Sequence, residues 1–201
     1  MLTIVTPATE SDLVTASRVK TELSISGSSE DPKIEDLIAE ASALIAAYCG
    51  RDTFGAETLL QTERLTAPAE CIVLARDLAV SITTVEVDGE ALTADQYELD
   101  GSLLYRLDDD ARIAWCPAKV EITFTAGYNL TTAAPVALSR AALDLVVGMY
   151  RGAGRDTTVR QEMVEGVGST SYFDVRAGAG TLPLSADRLR ALDRYRLVVV
   201  A

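Results

Sequence analysis

Apolar positions recur with two periods along the chain, helical towards both ends and alternating in the middle. Leu13, Ala16, Val19 and Leu23 fall near helical spacing between Ser11 and Leu23, with Ser11 or Asp12 placed to cap the first turn. A polar break from Ser24 to Glu30 follows, carrying Gly27. The strongest periodicity comes next. Ile34, Leu37, Ile38, Ala41, Leu44, Ile45 and Tyr48 make one stripe, with Glu35, Asp36 and Glu40 away from it. Asp31 is placed to cap this helix, Pro32 fits its first helical position, and Gly50 suits a left-handed stop.

Alternation takes over near Thr58. Thr58 to Leu65 reads as extended, and Cys71 to Leu74 is a short apolar run after Pro68. Ser81 to Val87 is rich in Thr, Val and Ile, and Asp88-Gly89 signals a hairpin into Glu90 to Leu92. Asp100-Gly101 signals a second hairpin between Tyr97–Leu99 and Leu103–Leu107. From Lys119 to Thr125, Val120, Ile122 and Phe124 share one face.

Helical spacing returns after Pro135 through Val136, Leu138, Ala142, Leu145, Val146 and Met149, to about Arg151. A glycine-rich stretch from Gly152 to Pro183 follows, with one β-like piece from Ser169 to Val175. Ser185 is placed to cap a last helix from Ala186 to Tyr195, and Leu197 to Val200 forms an apolar tail. These elements predict an α+β fold in a single domain spanning 1–201. A small helical bundle (9–50 and 135–196) carries an inserted, mostly antiparallel β-unit (58–128), and a long Gly-rich arm (152–183) precedes the C-terminal helix.

Composition narrows the chemistry. The chain has 201 residues, 48% of them hydrophobic but only 5% aromatic, which suits close-packed aliphatic helices better than an aromatic-lined ligand pocket. No segment approaches the roughly 18 unbroken apolar residues of a membrane span, and Met1 to Glu10 shows no secretory signal. There is no histidine, so Ser-His-Asp and Cys-His constellations are excluded, as is a histidine general base. Cys49, Cys71 and Cys116 are widely spaced and odd in number, which argues for small packed hydrophobes rather than disulfides or a zinc site.

The net charge of −12 opposes a protein that grips phosphate, and it is unevenly spread. Residues 1–139 hold 9 basic and 23 acidic side chains, whereas residues 140–201 hold 9 and 7. A solvated surface explains that asymmetry; so does a protein whose two ends meet different partners.

Individual motifs carry little chemistry. Gly166-Val167-Gly168 lacks the preceding apolar strand and the following helix of a dinucleotide loop. Asp108-Asp109-Asp110 lacks the ligand spacing of a calcium loop and reads as a solvated turn. Arg188, Arg190, Arg194 and Arg196 read as the exposed face of an amphipathic helix with Leu189 and Leu192 buried; the functional alternative is a helix that docks on an acidic partner.

In order, these elements resemble the head-tail connector (adaptor) proteins of long-tailed phages, prophages and gene transfer agents. The helix IEDLIAEASALIAAYCGR, the strand end EITFTAGY followed by a Pro-initiated helix, and the loop EGVGSTSY before a terminal helix ending LDRYR carry the likeness. The β-insert is large for that family. The resemblance implies a structural, non-enzymatic virion protein made in the bacterial cytoplasm, without cofactor, metal or membrane partner. It implies a homo-oligomeric ring of about a dozen copies beneath the portal protein. Such a ring continues the channel through which double-stranded DNA passes without sequence-specific binding, and gives a platform to the next neck, stopper or tail protein.

On this reading the C-terminal helix, through Arg188, Arg190, Arg194, Tyr195 and Arg196, contacts the portal. The arm, through Arg160, Glu165, Gly166, Gly168, Tyr172 and Phe173, reaches a neighbouring subunit or ring. Deleting residues 184–201 is expected to abolish portal binding and leave the fold intact. The rival readings are another neck or tail-completion ring protein, a small carboxylate- or metal-dependent hydrolase, and a monomeric binding module.

Overall fold

The computed structural model describes residues 1–78, 80–130, 134–153, 161–164, 168–171 and 182–197. The chain forms two compact units that alternate along the sequence: residues 1–10 with 53–133, and residues 11–52 with 134–201. The mixed α and antiparallel β content agrees with the α+β expectation. Of the arm at 152–183, the segments 154–160, 165–167 and 172–181 lie outside the described residues, as do residues 198–200 of the apolar tail.

In the second unit, described helices α1 (Ala16–Leu23), α2 (Asp31–Tyr48), α3 (Val136–Gly152) and α4 (Ala186–Asp193) pack together. Helix α1 begins at Ala16, capped by Thr15, whose Oγ1 accepts from the Arg18 amide at 3.4 Å. The expected cap at Ser11 or Asp12 is displaced because Leu13 and Val14 enter the core as non-helical chain, where the Leu13 amide donates to Ser42 Oγ at 3.0 Å. Asp31 opens α2 rather than capping it; Glu30 holds the N-cap position without a side-chain bond.

The buried face of α2 comprises Ile34, Ile38, Ala41, Ser42, Ile45 and Ala46, and Leu44 turns outward at 38% exposure. Ala41 and Ala46 are buried like the isoleucines, so bulk is not what marks the inner face. Helix α3 is the centre of this unit. Leu138, Ala141, Ala142, Leu143, Leu145 and Val146 are all buried, and α1, α2 and α4 each contact it.

Helix α2 ends as its glycine foretells. The Gly50 amide donates to Ala47 O at 3.0 Å and the Arg51 amide to Ala46 O at 2.9 Å, with Gly50 at φ 68°. This pair of bonds satisfies carbonyls that the helix end would otherwise strand.

The first unit is built on two sheets. One has the order β1 (Leu2–Thr6), β2 (Glu57–Arg64), β9 (Lys119–Ala126), β4 (Ser81–Val87), β5 (Glu90–Ala91). The other has the order β3 (Ile72–Val73), β7 (Leu103–Asp108), β6 (Tyr97–Asp100), with β8 (Ala111–Ile113) also paired to β7. All these pairings are antiparallel. Strand β9 is central, and its Val120, Ile122, Phe124 and Ala126 alternate inward as the apolar pattern requires. They share one core with Leu59, Val85, Ile72, Leu104 and Trp115, whose Nε1 donates to Leu104 O at 3.1 Å.

Gln61 is a polar residue buried on the same face of β2 as Leu59. Its side-chain amide donates to Val73 O at 2.9 Å and accepts from the Ala75 amide at 2.8 Å, tying the chain around β3 to β2. Asp108-Asp109-Asp110 is the β7–β8 turn, with Asp109 and Asp110 both at positive φ, the conformation that a two-residue hairpin loop needs. Strands β1 and β8 have no counterpart in the sequence reading, because β1 is mostly exposed and β8 carries one apolar side chain of size.

The phrase ending in Ala126-Gly127-Tyr128 has a steric reason. Gly127 sits at φ 106°, and a Cβ there would overlap the carbonyl of Gly55. A Cβ on Gly55 would in turn overlap the carbonyl of Glu10. Three backbone segments are stacked at this point, held by Tyr128 N–H to Phe54 O at 2.8 Å and Ala56 N–H to Tyr128 O at 3.0 Å. Gly127→Ala should therefore cost about 3 kcal/mol or more in urea unfolding, a severe class of substitution. Gly50→Ala, where a Cβ meets nothing, should cost only about 1–2 kcal/mol of left-handed strain.

Candidate partner-binding surface

The basic C-terminal helix is short and would not persist alone, so its position depends on what holds it. Ser185 caps α4, accepting from the Arg188 amide at 3.4 Å, and Leu192 is fully buried. The exit from α2 supplies further anchors. Arg51, itself buried, donates from Nε to Tyr195 O at 2.6 Å, and the Leu197 amide donates to Cys49 O at 2.9 Å. Tyr48 donates from its hydroxyl to Asp193 Oδ1 at 2.9 Å, and the Cys49 thiol faces Leu192 O at 3.7 Å.

This docking alters two titrations. Burial pushes the Cys49 thiol up from 9.0 to about 11, against the opposing pull of Arg51 and Arg196. Tyr48 is also raised, first by burial and then by its bond to Asp193. Cys49 is thus the packed hydrophobe that the sequence suggests, but Cys71 is only half-buried and Cys116 is exposed. Cys116 departs from that expectation because it stands just before Pro117, outside the described strands.

The five residues expected to meet a partner divide into two groups. Arg188 is committed internally: its Nε lies 2.8 Å from Asp144 Oδ2 on α3, and Arg140 approaches the same carboxylate at 3.4 Å. Tyr195 is held through its backbone carbonyl. Arg190, Arg194 and Arg196 face outward. Arg190 is 81% exposed with only a loose 3.9 Å approach to Asp187, and the Arg196 guanidinium lies 5.6 Å from the Tyr48 ring centre. Arg188 thus belongs to the packing of α4, because a carboxylate on α3 sits within its reach.

The same contacts correct the expectation that residues 184–201 can be removed without harm. Deletion would strip Leu192 from the core and leave Arg51, already buried, without Tyr195 O. Of the arm residues, Gly168 opens strand β11 (Gly168–Ser171), which pairs antiparallel with β10 (Gln161–Val164). Arg160, Glu165, Gly166, Tyr172 and Phe173 lie outside the described residues.

The anchoring residues Tyr48, Cys49 and Arg51 were visible as part of the phrase YCGR but not as partners of α4. Only an arginine directly after a helix-ending glycine hinted at a buried contact. Among the described residues, no group of three or more Cys, Asp or Glu is arranged to hold a metal ion, and no helix is long and apolar enough to cross a membrane.

A family model described as head completion protein matches residues 12–159, which runs from before α1 through α3 and includes strands β2 to β9. The chain belongs to the head completion protein family. No curated protein matches it. Family membership agrees with the resemblance to phage head-tail connectors and assigns a structural role in phage head assembly, as a virion component rather than an enzyme. The match ends at residue 159, so β10, β11 and α4 of this head completion protein lie beyond it, as does β1 before residue 12.

The raised thiol gives a signed prediction. Because the folded pKa of Cys49 exceeds the unfolded value, its contribution to stability is complete below about pH 9 and is lost as pH rises through about 11. Urea unfolding of the reduced protein should show stability falling across that window, with a shallower fall in Cys49→Ala. At neutral pH a maleimide should label Cys116 quickly and leave Cys49 unmodified until the protein is unfolded.

Proposed function

We propose that this head completion protein is a neck subunit that assembles as a ring beneath the portal, continues the DNA channel and supports the next neck or tail protein. The observation that carries the portal contact is the division of arginines on α4 and in the residues just after it, since the helix ends at Asp193 rather than at Tyr195. Arg188 pins the helix to α3, while Arg190, Arg194 and Arg196 stand outward on a backbone anchored by Arg51 and Leu192. Cations on an anchored backbone spare the cost of ordering the main chain on docking and suit an acidic partner surface.

Charge distribution supports the channel role. The unit formed by residues 1–10 and 53–133 carries 5 basic and 15 acidic side chains, so it holds −10 of the total −12. An acidic wall repels phosphate and avoids the Lys and Arg contacts that would slow DNA transit. The arm, through Arg160, Glu165, Gly166, Gly168, Tyr172 and Phe173, is proposed to reach a neighbouring subunit or ring.

Mass photometry of the protein mixed with the portal ring of the same particle tests this reading. A discrete increment of many subunits per portal is expected. Arg190→Glu with Arg194→Glu should weaken that binding at least tenfold, roughly 1.4 kcal/mol, without moving the melting temperature. Arg188→Ala should do the reverse, lowering stability by about 1 kcal/mol with a smaller effect on binding. No increment with a folded protein and a folded portal would assign the chain to another neck position.

A further inference from the structure

The two edges of the five-stranded sheet differ in a way that matters for assembly. At one end, β5 is two residues long, starts with Glu90 and follows directly on the Asp88-Gly89 turn. A short, charged edge is a poor template for another strand. At the other end, β1 is five residues long, reads Leu-Thr-Ile-Val-Thr and carries no charge. Ile4 and Val5 are 51% and 56% exposed, and β1 has a partner on one side only among the described residues.

Register shows which backbone groups are open. The Met1 amine donates to Thr62 O and the Thr62 amide donates to Met1 O, both at 2.8 Å. In an antiparallel pair such exchanges recur at every second residue, so Thr3 bonds to Leu60 while Leu2 and Ile4 point their N–H and C=O groups to the open side.

A second element is also incomplete. Strands β10 and β11 make a sheet of two, with no third strand among the described residues. An isolated two-stranded hairpin is marginal in water, and a third strand is what usually stabilises one. Its β11 strand, Gly168-Ser-Thr-Ser171, is uncharged like β1, whereas β10 contains Glu162. A strand without acidic side chains is the one that can approach a unit of net charge −10.

We propose that β1 is a strand-addition site and that its occupant is the β10–β11 hairpin of a second copy of this chain, entering through β11. The joint uses different surfaces of the two copies. It therefore propagates in one direction and gives a ring where the rotation closes, which identical edges paired face to face cannot do. The inference rests on the ring reading above and names the joint between its subunits. Both β1 and the hairpin lie outside the 12–159 family match.

Full-length variants assayed by mass photometry on the portal ring separate the possibilities. Ile4→Pro removes an amide from the open edge while sparing the ladder to β2, since Pro is tolerated where its position faces away from the neighbouring strand. Ile4→Lys is a second edge block that leaves the backbone unchanged, and Thr170→Pro interrupts β11. Wild type should complete the ring, and all three variants should fail to complete it while keeping the wild-type melting temperature. Full rings from both Ile4 variants would overturn the joint and leave the ring reading standing. Failure of the Ile4 variants with full rings from Thr170→Pro would overturn the hairpin as occupant, making a strand of the portal the partner. Absence of any wild-type ring would remove the ring reading and this joint together.

Discussion

The left-handed turn at Gly50 directs the chain at the point on which the helical unit depends. It closes α2 with two backbone bonds and delivers Arg51 inward, where its guanidinium meets the carbonyl of Tyr195. Cys49 and Tyr48, in the last turn, reach Leu192 and Asp193. A helix of eight residues has little stability of its own, so α4 exists because the end of α2 and the flank of α3 hold it. A buried guanidinium must keep its acceptor, which makes this contact costly to lose.

The β unit depends on an equivalent constraint of space. At Gly55 and Gly127 backbones approach so closely that no side chain fits between them, and the segment ending at Glu10 lies over the same point. That stacking lets residues 1–10 join a sheet whose other strands come from residues 57–126. The chain thereby contributes to the β unit twice, and its N-terminal strand becomes the sheet's uncharged edge.

Much of this architecture was legible because it rests on local rules. Ser81–Val87 matches β4 at both ends, and the turn at Asp88-Gly89 lies where its residues demand. The second loop falls one residue later than expected, at Gly101-Ser102, with Asp100 closing β6. Helix α2 and its glycine stop, and α3 after Pro135, were equally plain, since apolar spacing and backbone conformers are properties of consecutive residues. Strand β1 was not legible. Four of its five residues are exposed, so no alternation of burial marks it, and its pairing with Leu59 to Gln61 is a contact across more than fifty positions.

The amino-acid sequence by itself determined the α+β class, the excluded chemistries and the order of elements from which a phage connector could be recognised. It determined these through periodicity, turn residues and the absence of histidine, all of which need no knowledge of distant neighbours. Tertiary structure alone decided what each arginine does. Arg188, Arg190, Arg194 and Arg196 carry the same charge and stand within nine residues of one another. Asp144 on α3, 44 positions away from Arg188, turns one of them into a fastening and leaves the others facing outward. Charge type is written locally, but a partner is chosen by geometry, and geometry comes from the packing of the whole unit.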